Sequence, residues 1–300
     1  MYLPKTRLAR REAMEGFLFI LPWLLGYLLF RLGPLLASLY LSFTNYGGSG
    51  VPHWIGLENY RYMLTQDPRF IDSLRSTLTF VAGYLPLGLT IGLAIALLMN
   101  QKVRGILIFR GIYYLPAVTT GVAVALLWQF VFHKQYGVLN AILSWFGVPQ
   151  IGWLVDPHVV MYAFILMALW GVGGTMIVYL AGLQSIPTEL YEAATIDGAG
   201  GLRRFWSITI PLLTPVLFFN LVTGLIGAFQ IFENAYIMTD GGPNYATYFF
   251  GLNIYFTAFR SLRFGYASTV AYILFVLIAA LTLFVMSTSK RWVYYAGEKE

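Results

Sequence analysis

Three polar side chains stand close together in an otherwise apolar stretch: Gln230, Glu233 and Asn234, within GAFQIFENAYIMT (Gly227–Thr239). Separations of three and four residues put them on one face of a helix, and Phe229, Phe232 and Tyr236 flank that face. A carboxylate and two amides can hydrogen-bond the hydroxyls of a sugar, and an aromatic ring can stack on its C–H face. Glu233 is the only acid well inside a predicted membrane span. Polar groups deep in lipid are costly and by default point to function, yet buried amides also bond helices to one another. Spacing alone leaves both readings open. LWGVGGTMIVYLAG (Leu169–Gly182) offers a second surface through Trp170, Thr175 and Tyr179, while its glycines Gly171, Gly173 and Gly174 suit close helix packing or a bend. Trp128, Gln129 and Tyr84 fit packing equally well.

Nothing points to covalent catalysis or a metal centre. Cysteine is absent, which excludes disulfides and thiolate ligands. His53, His133 and His158 fall in separate connections, and no HExxH pair occurs. None of the five lysines stands in a GxxxxGK[ST] phosphate loop, so the chain is not expected to hold ATP by that device.

The elements that must carry these residues are membrane helices. The chain is 58% hydrophobic and 11% charged, against about 25% charged in a soluble domain. Apolar runs near the roughly 20 residues needed to cross a bilayer predict six spans, at about 17–43, 74–99, 106–132, 159–183, 212–239 and 266–287. The backbone must satisfy itself in lipid, so each is read as a helix, and Pro22, Pro34, Pro86, Pro116 and Pro215 as kinks. The first run is too long for a cleavable signal peptide. Residues 1–300 read as a single transmembrane domain with short tails. One set of connections holds twelve of the nineteen Lys and Arg residues, among them Lys5, Lys102, Arg203, Arg204 and Lys299, and the other holds six over longer stretches. The positive-inside rule then places both termini in the cytoplasm, and this asymmetry accounts for the net charge of +6 without a nucleic-acid partner. Aromatic-rich outer stretches (51–70, 134–157 and 240–265) suit either interfacial anchoring or contact with an external partner.

The longest inner connection, 185–211, contains ELYEAATIDGAGGLRRFWSITIP. Pro187, Thr188 and Glu189 mark a helix start, Gly198, Gly200 and Gly201 its end, and Leu202–Ile210 a second segment stopped by Pro211. Leu190, Ala193 and Ala194 share a face that another backbone can approach closely, with Glu189 and Glu192 beside it. Gly198 permits a reversal. The geometry suits a short helix seated in a partner's cleft, and equally an amphipathic linker lying on the membrane.

The spacing of this stretch resembles the EAA signature of ABC importer permeases, EAA-x3-G-x9-I-x-L-P: Glu192-Ala193-Ala194, Gly198, Ile208 and Pro211 match, and Ile210 stands in place of leucine. WIGLENYR (Trp54–Arg61), FRGIYYLPAV (Phe109–Val118), LAGLQSIPTELYEAATIDGA (Leu180–Ala199), MTDGGP (Met238–Pro243) and IYFTAFRSLRFGYAS (Ile254–Ser268) are similar to the carbohydrate-uptake permeases of the maltose and glycerol-3-phosphate type. Arg31 departs from the apolar residue expected there. The resemblance implies an all-α integral membrane protein of six helices with the type I importer (MetI-like) permease fold, in a prokaryotic inner membrane. It implies a second homologous permease, two cytoplasmic ATPase subunits that bind ATP and Mg²⁺, an external solute-binding protein, and no cofactor in this chain. The ATPase-coupling residues it implies are Glu189, Leu190, Glu192, Ala193, Ala194, Asp197, Gly198, Ile208 and Pro211, and it places sugar contacts on the helix of Gln230, Glu233 and Asn234. A glycerol-3-phosphate-type permease is the alternative, opposed by the charge of Glu233. An ATP-independent secondary carrier has only that lone acid in its favour.

Overall fold

The computed structural model describes residues 7–101 and 103–294, so Lys5, Lys102 and Lys299, used above for orientation, lie outside the described residues. Among the described residues the regular structure is helical apart from one isolated bridge, Thr44–Trp54. Four helices are long and apolar enough to cross a membrane, and two bent pairs bring the number to six. Contacts gather into two units: Met1–Gln66 with Phe256–Tyr272, and Asp67–Tyr255 with Ile273–Glu300.

In the first unit, α1 (Arg7–Tyr27) and α2 (Gly33–Ser42) form one apolar rod joined by a five-residue π turn, Leu28–Leu32, that carries the exposed Arg31. The turn has a local cause. Pro34 at the start of α2 has no N–H to give, and Gly33 N–H reaches five residues back to Leu28 O, widening the helix ahead of it. α3 (Glu58–Thr65) is stitched to the C-terminal end of α2, where Asn59 Nδ2 donates to Ser42 O at 3.0 Å and Thr44 O at 2.8 Å. Ser42 O also accepts from Thr269 Oγ1 at 2.9 Å, so the end of α2 is satisfied by side chains.

The second unit is built around α4 (Pro68–Met99), which starts six residues before the expected span. Asp67 caps it by accepting from Arg69 N at 2.9 Å, and Pro68 occupies its first turn. Then follow α5 (Ile106–Val118), α6 (Gly121–Val131), α7 (Val138–Ser144), α8 (Val160–Trp170), α9 (Gly173–Gln184), α10 (Thr188–Ile196), α11 (Gly201–Arg204), α12 (Ile210–Phe229), α13 (Glu233–Met238) and α14 (Phe250–Tyr255). The last helix, α15 (Phe264–Ser289), begins in the first unit and ends in the second. α4 packs on α8, α9 and α12, and Ala96, Met176, Tyr179, Leu183 and Leu213 form the shared core.

Three expected spans are not straight. Residues 106–132 are α5 and α6, bent by 100° at Thr119–Thr120, and residues 159–183 are α8 and α9, bent by 44° at Gly171–Val172. Gly173 has no room for a side chain, because a Cβ there would run into the carbonyl of Tyr113 on α5. The fifth span is interrupted at Gln230–Phe232, between α12 and α13.

Candidate functional site

The interruption at Gln230–Phe232 corrects the shared face expected for the polar trio. Gln230 caps the end of α12 with φ −98°, Phe232 turns through φ −143° and ψ −62°, and α13 restarts at Glu233. Gln230 is therefore on the far side of the break from Glu233 and Asn234, and the helical phase between them is lost. No proline lies at the break. The backbone of α14 packs against it: a Cβ on Gly251 would be 2.9 Å from both Ile231 O and Phe232 Cβ.

A second broken helix meets the first. α5 ends and α6 begins across Thr119 and Thr120, both extended (ψ 138° and 143°), and Thr119 Oγ1 donates to Leu115 O at 2.9 Å. α13 packs on α6, and the Glu233 carboxylate lies against Gly121, the first residue of α6. The Cα there leaves just enough room, since a Cβ would be 2.8 Å from Glu233 Cδ. The positive end of α6 thus faces a negative charge. Glu233 itself remains exposed. Two orphaned atoms belong to the same pair of half-helices: Trp128 Nε1 on α6, a donor, and Asn234 Oδ1 on α13, an acceptor, both buried without a partner among the described residues. Such atoms call for an explanation in a folded protein.

Aromatic rings stand beside them. Phe232 stacks on Tyr236 at 5.6 Å, and Tyr255 meets both at 5.2 Å. Trp170, at the α8–α9 bend, is part-exposed and sets its edge against Trp128 at 5.9 Å. Three further expected contacts lie deeper in the bundle. Phe229 and Tyr179 are fully buried, and the Thr175 methyl fills the space left by Gly92 on α4, 3.0 Å from where a Cβ would stand. The sequence reading missed Tyr255 and Gly121. The run Pro116…Thr119-Thr120-Gly121 is the signal that would have found the second break: a proline, two β-branched residues and a glycine.

The connection 185–211 forms a handle. α10 follows Pro187, and Gly198 turns the chain with φ +76°, a left-handed conformation costly to any side-chain-bearing residue. Tyr191 Oη and Thr209 Oγ1 share a hydrogen bond of 2.9 Å, and Arg204 Nη1 donates to Thr195 Oγ1 at 2.8 Å. Pro211 does not stop the second segment, contrary to expectation. α11 runs through a π turn, Phe205–Thr209, straight into α12, with Ile210 N–H reaching back to Phe205 O. This is the same widening ahead of a proline as at Pro34. Ile208 packs against the core and Pro211 sits in the first turn of α12, so these two expected coupling residues join the handle to the span and lie off its outer surface.

That outer surface carries Glu189, Leu190, Glu192, Ala193, Asp197 and Gly198, all exposed, with Ala194 half-buried. Its acids make no ion pair among the described residues. Around them Ile196 is 87% exposed, Leu202 75% and Trp206 62%. An exposed isoleucine thus stands beside three carboxylates on a handle with two arginines. Removing the brace tests its stiffness. Tyr191→Phe deletes one hydrogen bond, worth about 1 kcal/mol, and should lower the thermal midpoint of the protein by about 2 °C. A midpoint unmoved at equal protein level would show that the brace is dispensable.

Residues 88–295 match the family model described as "Binding-protein-dependent transport system inner membrane component". The chain is 40% identical to the "Probable ABC transporter permease protein YesP" of Bacillus subtilis, covering 99% of this chain and 97% of that one. It is 34% identical to the "Trehalose/maltose transport system permease protein MalF" of Thermococcus litoralis, over 93% and 94% of the two chains. Among solved structures it superposes with TM-score 0.84 and 26% identity on a chain of the bacterial alginate ABC transporter in complex with alginate pentasaccharide-bound periplasmic protein, covering 95% of this chain and 98% of that one.

Proposed function

Because this chain belongs to the family of binding-protein-dependent transport system inner membrane components and is a permease subunit of an ABC importer, we propose that it carries a neutral sugar or oligosaccharide into the cytoplasm. That the substrate is a saccharide is supported by the relative named for trehalose and maltose and by the alginate transporter that shares the fold. Alginate is acidic, so the neutrality proposed here rests on the trehalose/maltose relative and on Glu233. The site has the matching chemistry. Glu233, Asn234 and Gln230 offer hydroxyl-binding groups around the two breaks, and Phe232, Tyr236 and Tyr255 offer ring faces. Broken helices near the middle of a membrane are a recurrent way to present backbone dipoles to a substrate. The carboxylate of Glu233 disfavours a phosphorylated substrate, and the family match lends no support to an ATP-independent carrier.

The handle carries the mechanism. We take its exposed face as the seat of a separate ATPase subunit on the cytoplasmic side, one for this chain and one for a second, homologous permease. ATP and Mg²⁺ belong to those ATPases, and a solute-binding protein delivers sugar from the opposite side. Closure of the ATPases pushes α10; the Tyr191–Thr209 brace and the unbroken run from α11 into α12 pass the push to the far end of α12, where the chain breaks at Gln230. The substrate cavity then opens to one face or the other. Binding measurements on the cognate solute-binding protein with a panel of sugars, polyols and sugar phosphates test the substrate class. A neutral saccharide should bind and drive uptake; uptake driven by glycerol phosphate instead would overturn the sugar reading.

A further inference from the structure

On the membrane face opposite the handle, a groove of about 490 Å³ opens between the first turns of α4, the start of α8 and the loop at Asn244–Ala246. Its two ends differ in chemistry. Asp72, Arg75, His158 and Asn244 line one end, and Met161, Ile165 and Gly83 the other, with Thr79 between them. A ligand matching it has a charged head and an apolar tail.

The depth of the groove follows from the length of α4. Arg110 donates through Nε and Nη2 to Met99 O at 3.2 and 2.8 Å, which marks the end of α4 as the interfacial level on the handle side. A hydrocarbon layer of roughly 30 Å takes up about 20 residues of helix, counted back from Met99 to about Thr79. Arg75 lies about one turn beyond, at the level of lipid phosphates. Gly83 and Ile165 lie inside the acyl region.

The walls are fixed. Ser76 Oγ donates to Tyr245 O at 3.0 Å, the Arg69 guanidinium lies 3.3 Å over the Tyr245 ring, and Asn244 and Tyr245 both hold positive φ (47° and 59°). Backbone strain of this kind persists only where the surroundings hold it, and it gathers at ligand clamps. Charge favours an anion. Asp72 is the one acid in the groove, and Arg69 Nη1 pairs with it at 3.2 Å, while Arg75 is exposed with no partner among those described.

We propose that this groove holds an anionic phospholipid of the leaflet opposite the handle, its phosphate on Arg75 and the upper part of one acyl chain along Thr79, Ile165 and Gly83. The test uses the assembled transporter in nanodiscs of equal parts phosphatidylglycerol and phosphatidylcholine, followed by quantification of the lipid retained after extraction into detergent. One basic residue at the surface supports about fivefold retention of phosphatidylglycerol over phosphatidylcholine. Arg75→Gln should remove that preference, and Thr79→Trp, which fills the groove below an intact Arg75, should remove the bound lipid altogether. Excess glycerol phosphate should not displace it. Equal retention of both lipids by the unaltered transporter, or a preference unmoved by both variants, overturns the proposal. So does displacement by glycerol phosphate, which would make the ligand a soluble phosphate. Cross-linking of a Thr79→Cys variant to the second permease with no lipid retained would overturn it by showing the groove to be a protein interface. Because the readout is lipid, it stands apart from sugar uptake.

Discussion

Ile196→Asp should strip the ATPase from the purified complex and abolish uptake, with the permease itself intact. Ile196 is 87% exposed at the end of α10, so its removal disturbs no core packing. A central apolar anchor in an interface contributes about 2 kcal/mol or more, and burying a new carboxylate in its place adds a desolvation cost. Docking should weaken by at least about thirtyfold, read as ATPase recovered with the tagged permease. Unaltered recovery would remove the handle's outer face as the docking surface. Trp206→Ala, on the same surface, should move in the same direction by a smaller amount.

The second large effect is expected at Gly121. A Cβ there would overlap the Glu233 carboxylate, the mobile end of an exposed side chain, so Gly121→Ala should turn that carboxylate out of its seat while α13 stays on α6. Loss of the proposed carboxylate contact to the sugar costs about 1.5–3 kcal/mol, enough to lower uptake between about tenfold and about a hundredfold with the thermal stability of the complex little changed. Adding Glu233→Ala should lower uptake no further, because the same contact is already lost. Non-additivity of that sign is the signature of a direct contact. Strictly additive losses in uptake would mean that the two residues do not meet.

These two sites were legible in the sequence to different degrees. The spans announced themselves through apolar length, and the handle through the fixed spacing from Glu192 to Pro211, because both are written along the chain. The breaks were not. No proline or glycine marks the break at Gln230–Phe232; what meets the Ile231 carbonyl there is α14, where Gly251 comes within contact distance some twenty residues later. Glu233 read as a cavity acid on a continuous helix, and its seat against Gly121 depends on a bend in a different span. The prolines were legible only by type. Pro34 and Pro211 suggested a kink and a stop, and each instead follows a π turn that lets the helix continue. That outcome matters for coupling, since a stop at Pro211 would have isolated the handle from α12. The apolar anchors Ile196, Leu202 and Trp206 were passed over because exposure belongs to the folded handle, whereas the carboxylates drew notice by contrast with their greasy surroundings.

The central claim is that the handle delivers the work of ATP to a sugar path in the membrane. It is tested most directly by uptake into proteoliposomes containing both permeases and both ATPases, with the solute-binding protein and labelled sugar on one side and ATP supplied only on the side of the handle. The account predicts sugar accumulation that requires ATP on that side and disappears with Ile196→Asp. Accumulation without ATP, or undiminished by that change, would contradict it.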